Sequence, residues 1–173
     1  MNPPEILVDF SAEDRTEWRA VNDGVMGGLS VSTLRRTDDG TGIFSGDLSL
    51  QNNGGFASAR AMLGLRDLSA FAGLEIRVRG DGRTYQLRLR TDDRFDGVAY
   101  RAEFETRDRE WLTVNILFKR FLPTYRGRIL TDVPALDTGR IRQLSIMLAD
   151  KNAGPFSLEV DHISTGSPEV GGK

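Results

Sequence analysis

The sequence contains no cysteine. That excludes disulfide bridges, thiolate zinc centres and a cysteine nucleophile, and it fits a reducing compartment. Histidine occurs once, at His162, so the imidazole clusters that hold most transition metals have no ligand set. Lysine is scarce: Lys119, Lys151 and Lys173 are 3 of 23 basic residues, which leaves 20 arginines. Those arginines are interleaved with 25 acids for a net charge of -2, so no basic stripe offers itself to nucleic acid or to an anionic membrane. No apolar run approaches the ~18 residues of a spanning helix, and the opening MNPPEILVDF lacks the regions of a signal peptide. These absences predict a soluble chain with no targeting segment.

What is present is 173 residues, 39% hydrophobic and 28% charged, a length that buries roughly 70% of the unfolded surface without a staple. Its dominant pattern has period two. Leu74, Ile76 and Val78 alternate with charged neighbours, as do Leu87 with Leu89 and Ala102 with Phe104. Further apolar stretches fall at 6–10, 30–34, 43–50, 56–60, 112–118, 144–148 and 156–163, separated by turn clusters such as Asn52-Asn53-Gly54-Gly55 and Gly80-Asp81-Gly82. About ten short strands with no sustained helical period predict an all-β fold, an antiparallel β-sandwich or jelly roll. It occupies one domain over residues 1–165, followed by a flexible tail over 166–173, with helical turns expected only at 67–71 and 118–121.

The stretch NDGVMGGLS, residues 22–30, tests the chemistry. A phosphate-binding loop needs its glycines between a strand and a helix, whereas here the segment that follows reads as a strand. Two uses remain open. The glycines serve a tight reversal in which Asn22 and Asp23 bond their own backbone, or they present Met26, beside Trp18, to a partner. Gly28-Leu29-Ser30-Val31-Ser32 lacks the last glycine of a nucleophile elbow. Asp161 and His162 are neighbours in a strand and are expected on opposite faces, which disfavours a triad.

Carboxylates abound at Asp92, Asp93, Asp96, Glu103 and Glu105, but a glycosidase needs two of them flanking one bond. Glu103 and Glu105 share a face with Arg101. If their strand pairs with that of Arg88 and Arg90 across the 92–97 loop, opposite charges face each other on the solvent side. The competing reading is a polar binding face built from Arg60, Arg88 and Arg90. Asp9 and Asp161 meet if the terminal strands pair, a candidate structural calcium site. No matched catalytic set is found, and a non-enzyme is expected.

The long motifs at 18–30 (WRAVNDGVMGGLS) and 46–58 (GDLSLQNNGGFAS), with YQLRLRT at 85–91 and PTYRGR at 123–128, resemble the CIA30 family, the complex I intermediate-associated protein 30 group. The resemblance spans roughly residues 6–165. It implies a galactose-binding-domain-like sandwich, akin to carbohydrate-binding modules, and a non-enzymatic assembly role with a protein partner, respiratory complex I subunits or another assembly factor. Without the transit peptide and extension of the mitochondrial proteins, the chain looks like a short bacterial member. It is expected in the cytoplasm and at the inner membrane only through a partner. The expected docking surface comprises Trp18, Asn22, Asp23 and Met26 on one loop, with Arg60, Arg90, Asp92 and Tyr100 around the other. The alternative, a small glycan as ligand, would use Trp111, Tyr100 or Tyr85 as stacking plates.

Overall fold

Leu74, Ile76 and Val78 are buried while Glu75 and Arg77 between them stay partly exposed, so the period-two pattern becomes a half-buried strand. The same logic runs along the chain. The computed structural model describes residues 3–166, apart from the side chains of Val25, Met26 and Asn53; most of the expected tail, residues 167–173, lies outside it. The strands are β1 (Ile6–Val8), β2 (Glu17–Ala20), β3 (Val31–Arg36), β4 (Gly42–Leu48), β5 (Ala57–Arg66), β6 (Gly73–Arg79) and β7 (Thr84–Arg90). They continue with β8 (Ala99–Glu105), β9 (Trp111–Leu117), β10 (Leu122–Tyr125), β11 (Arg128–Ile129), β12 (Ile141–Leu148) and β13 (Gly154–Ser164).

Two antiparallel sheets form a sandwich. The six-stranded sheet runs β3-β4-β13-β6-β9, with β1 also on β13, and the seven-stranded sheet runs β11-β10-β8-β7-β12-β5-β2. Late strands β12 and β13 insert between early ones, as a jelly-roll winding requires. The inner faces meet in one core in which Phe44 of β4 packs on Phe156 of β13 at 4.9 Å and on Tyr85 of β7 at 6.4 Å. Each large side chain so buried contributes roughly 1.5–3 kcal/mol. The chain ends are tied: Thr165 N donates to Glu5 O at 2.9 Å, and Glu5 N donates to Thr165 Oγ1 at 2.7 Å.

The structure departs from expectation in short elements. Strands β2, β10 and β11 were not anticipated; Pro123 argues against a strand, yet β10 pairs with β8 and β11. Residues 67–71 make a turn in which Leu68 N donates to Thr138 O and Phe71 N to Leu68 O, whereas Phe118–Arg120 is a short 3₁₀ turn. No helix among the described residues is long and apolar enough to cross a membrane.

Candidate functional site

The NDGVMGGLS loop is wound around a buried carboxylate. Asp23 begins a 3₁₀ turn, Asp23–Met26, closed by Gly27 at φ 89°, and its side chain is 0% exposed. Its Oδ1 accepts from Ser30 N at 2.9 Å, and its Oδ2 accepts from Ser30 Oγ at 2.6 Å, Gly55 N at 2.7 Å and Phe56 N at 3.3 Å. Burial pushes its pKa up, but the hydrogen bonds outweigh burial and hold the carboxyl below its ordinary value. A Cβ at Gly28 would sit 2.5 Å from Asp23 Oδ1, and one at Gly54 2.6 Å from Oδ2, so both glycines are there to let backbone close on the carboxylate. Asn22 does similar work: its Oδ1 accepts from Ser32 Oγ and Ser58 N.

Asn22 and Asp23 therefore staple the loop to β3 and β5; the Asp23 carboxylate is buried and turned inward, while Asn22 remains partly exposed. The physical reason is that a buried backbone N–H must find an acceptor, and here two side chains supply it. Trp18 is half-buried and stacks on Phe10 with centroids 5.9 Å apart. The side chain of Met26 lies outside the described residues. What the staple does present is aliphatic: Leu29 is 54%, Val31 60% and Leu50 44% exposed. They stand where β3 forms the edge of its sheet, and Ser30 Oγ and Ser49 bond each other across the gap.

A second feature lies on the outer face of the seven-stranded sheet. Register places Arg19 of β2 opposite Arg60 of β5, Arg60 opposite Ser145 of β12, Ser145 opposite Arg88 of β7, and Arg88 opposite Arg101 of β8. The expected alternation of charge is absent, because Glu103 falls opposite Gln86 and Glu105 opposite Thr84. Arg60 and Arg90 are only 9% and 8% exposed. Burial, followed by repulsion from neighbouring arginines, pulls the guanidinium pKa of Arg60 and of Arg88 down to about 10. The 92–97 loop folds onto one end: Arg60 donates to Phe95 O at 2.7 Å, Arg90 to Gly97 O at 3.1 Å, and Gln143 to the carbonyls of Asp92 and Arg94. Thus Arg60, Arg90 and Asp92 do converge. Arg19, Gln143 and Ser145 escaped the sequence reading because only register brings them there, and Arg101, expected among acids, faces Arg88 instead.

The remaining candidates scatter. Tyr85 is in the core, and Tyr100 is buried with its hydroxyl on Pro134 O, so neither is a surface plate. Trp111 lies on the other sheet, under Arg77 and Arg79 at 5.5 and 5.0 Å. Asp93 pairs with Arg142 and Asp96 with Arg126. Asp161 and His162 were expected on opposite faces, but the β13–β6 register slips between Val160 and His162, and this bulge brings His162 Nδ1 to 2.9 Å from Asp161 while Nε2 lies 2.8 Å from Glu75. β1 does pair with β13. Asp9 accepts from Ser11 N, and among the described residues no group of three or more histidine or carboxylate side chains is placed to hold a metal ion.

Comparison with known proteins follows the same outline. The family model described as "Complex I intermediate-associated protein 30 (CIA30)" matches residues 8–160. An uncharacterized Schizosaccharomyces pombe protein is 30% identical over 85% of this chain and 76% of its own length. The mitochondrial complex I intermediate-associated protein 30 of Drosophila melanogaster is 28% identical over 92% of this chain, and that of Mus musculus 29% over 87%. This chain covers 62% of the fly protein and 52% of the mouse protein. Among solved structures, the family 11 carbohydrate-binding module of Clostridium thermocellum, in complex with a mixed-linked tetrasaccharide, superposes with a TM-score of 0.68 at 16% identity over 95% of this chain and 96% of its own. The agarase AgWH50C reaches 0.63 at 12% identity, over 96% of this chain but 25% of its own. These likenesses place the fold among such sandwiches.

Proposed function

Because the chain belongs to the complex I intermediate-associated protein 30 family, we propose that it acts without catalysis, as a docking module that holds a protein partner during assembly of a larger complex. The observation that carries this is the aliphatic rim of Leu29, Val31 and Leu50, exposed beside a loop that the buried Asp23 carboxylate holds in one shape. A preformed apolar rim loses little freedom on binding, so more of its contact energy is available for affinity. The names of the fly and mouse relatives refer to complex I intermediates, and complex I subunits or a companion assembly factor are the partners proposed here. The place of action is the bacterial cytoplasm, at the inner membrane through that partner.

Affinity capture from the host tests the reading. Wild-type protein should recover complex I subunits, and Leu29→Glu with Val31→Glu should lose them at an unchanged melting temperature. Equal recovery by the double variant, or none by wild type, refutes it. A second reading, a glycan-binding module, is favoured by the likeness to the tetrasaccharide-bound module and by the half-exposed ring of Trp111, the one aromatic of the three candidates that reaches the surface.

A further inference from the structure

Charge buried in a folded chain is normally paired, and elsewhere this chain conforms: Arg83 pairs with Asp150 at 2.7 Å and Arg79 with Glu159 at 2.6 Å. The outer face of the seven-stranded sheet breaks the rule. Among the described residues, no carboxylate lies within ion-pair distance of Arg19, Arg60, Arg88 or Arg90, and Arg101 reaches only Glu103, at 3.8 Å. Carbonyls of the 92–97 loop stand in as weak counter-charges for Arg60 and Arg90. They leave the buried Nε of Arg60 without a partner. Arg88 has only neutral ones, Gln86 Oε1 at 2.8 Å and Met147 Sδ at 3.5 Å.

We propose that this face binds a phosphate- or diphosphate-bearing small molecule, gripped between the guanidiniums of Arg60 and Arg88, with Arg19 and Arg101 completing the row. The geometry supports it step by step. Strands β5 and β7 flank β12, so the two arginines spring from backbones roughly 9–10 Å apart, two strand spacings. The residue between them in register is Ser145, a short hydroxyl side chain that is itself buried at 5% exposure. Guanidinium forks match phosphate oxygens bidentately. Several unpaired positive charges in one row suit a dianion or trianion better than a lone carboxylate. Arg60 is 9% exposed, with the ring of Phe95 centred 5.1 Å from its guanidinium, whereas Arg88 and Arg101 are partly exposed and Arg19 is exposed, so a small anion enters along the Arg88 side of the row. The site is on the seven-stranded sheet and the aliphatic rim at the edge of the six-stranded one, and the phosphate reading does not depend on the docking proposal.

Titrating the full chain with inorganic phosphate, pyrophosphate and glycerol 3-phosphate at constant ionic strength, by calorimetry and by melting temperature, tests the proposal. Preference among the three separates a free inorganic anion from an organic phosphate. At least one should bind saturably with 1:1 stoichiometry, and Arg60→Gln or Arg88→Gln should each weaken it roughly 10-fold or more, the loss expected for a charge-assisted hydrogen bond. Arg107→Gln, in an exposed turn, should leave it unchanged. Without ligand, Arg88→Gln should melt no lower than the parent, because it removes one of two like charges facing across β7 and β8. The proposal is overturned by the absence of saturable binding, by equal weakening in Arg107→Gln, by citrate binding as tightly as phosphate, or by an Arg88→Gln that melts lower yet binds as before.

Discussion

Replacing Asp23 should be among the costliest single changes on the surface loops of this protein. The carboxylate accepts four hydrogen bonds, from Ser30 N, Ser30 Oγ, Gly55 N and Phe56 N. In Asp23→Ala the Ser30 hydroxyl keeps an acceptor in Ser49 O at 3.1 Å, but the three backbone donors have no alternative. At about 1–1.5 kcal/mol for each buried donor left unpaired, the loss is about 3–5 kcal/mol, a large part of a total stability of about 5–15 kcal/mol. Asp23→Asn is milder. Its one oxygen can replace Oδ2, which turns the amide NH₂ against Ser30 N–H, and a cost of about 2–3 kcal/mol lowers the melting temperature by roughly 5–10 °C. The acid limb provides an internal check. The depressed carboxyl pKa means that this stabilisation is present above the ordinary value of 3.8 and is lost as pH falls through the lower folded-state value, so Asp23→Asn should flatten stability there. Gly28→Ala crowds the same carboxylate and should couple to Asp23→Ala by about 1 kcal/mol or more in a urea double-mutant cycle. A melting temperature unmoved by Asp23→Asn, or strict additivity of the two alanine changes, would refute the idea of a loop built around one buried charge.

Two further outcomes follow from other sites. Burial lowers the His162 pKa, but the carboxylates of Asp161 and Glu75 outweigh it and raise the value above 6.5. Stability from this cluster is therefore fully present below 6.5 and lost as pH rises through the raised value; urea midpoints should show that decline, and His162→Gln should abolish it. For the glycan reading, a glycan-array signal removed by Trp111→Ala is the expected result, and no signal from the wild-type chain, or one that Trp111→Ala leaves intact, counts against it.

The strand content was legible residue by residue, because side-chain alternation is a local consequence of extended backbone: 74–79 and 87–90 could be read as half-buried strands from their own letters. The family was legible too, in the motifs around Asn22 and Gly54. Orientation at the candidate sites was not. Nothing in NDGVMGGLS says whether Asp23 points out to a partner or in toward Gly55 and Phe56, since those donors arrive from 32 and 33 residues away.

The arginine row depends still more on long-range pairing. Arg60, Arg88 and Arg101 are visible in their own strands, but whether Arg88 faces Arg101 or an acid is set by register across the 92–97 loop, and a slip of one residue reverses the face of every side chain. The bulge at Asp161 makes the same point, turning two neighbours expected on opposite faces into a hydrogen-bonded pair. Composition and period thus decided that this chain is a sandwich of antiparallel strands, because both act over a few residues. Tertiary structure alone decided which charges stand together, because strand order and register are settled only when distant segments share a core.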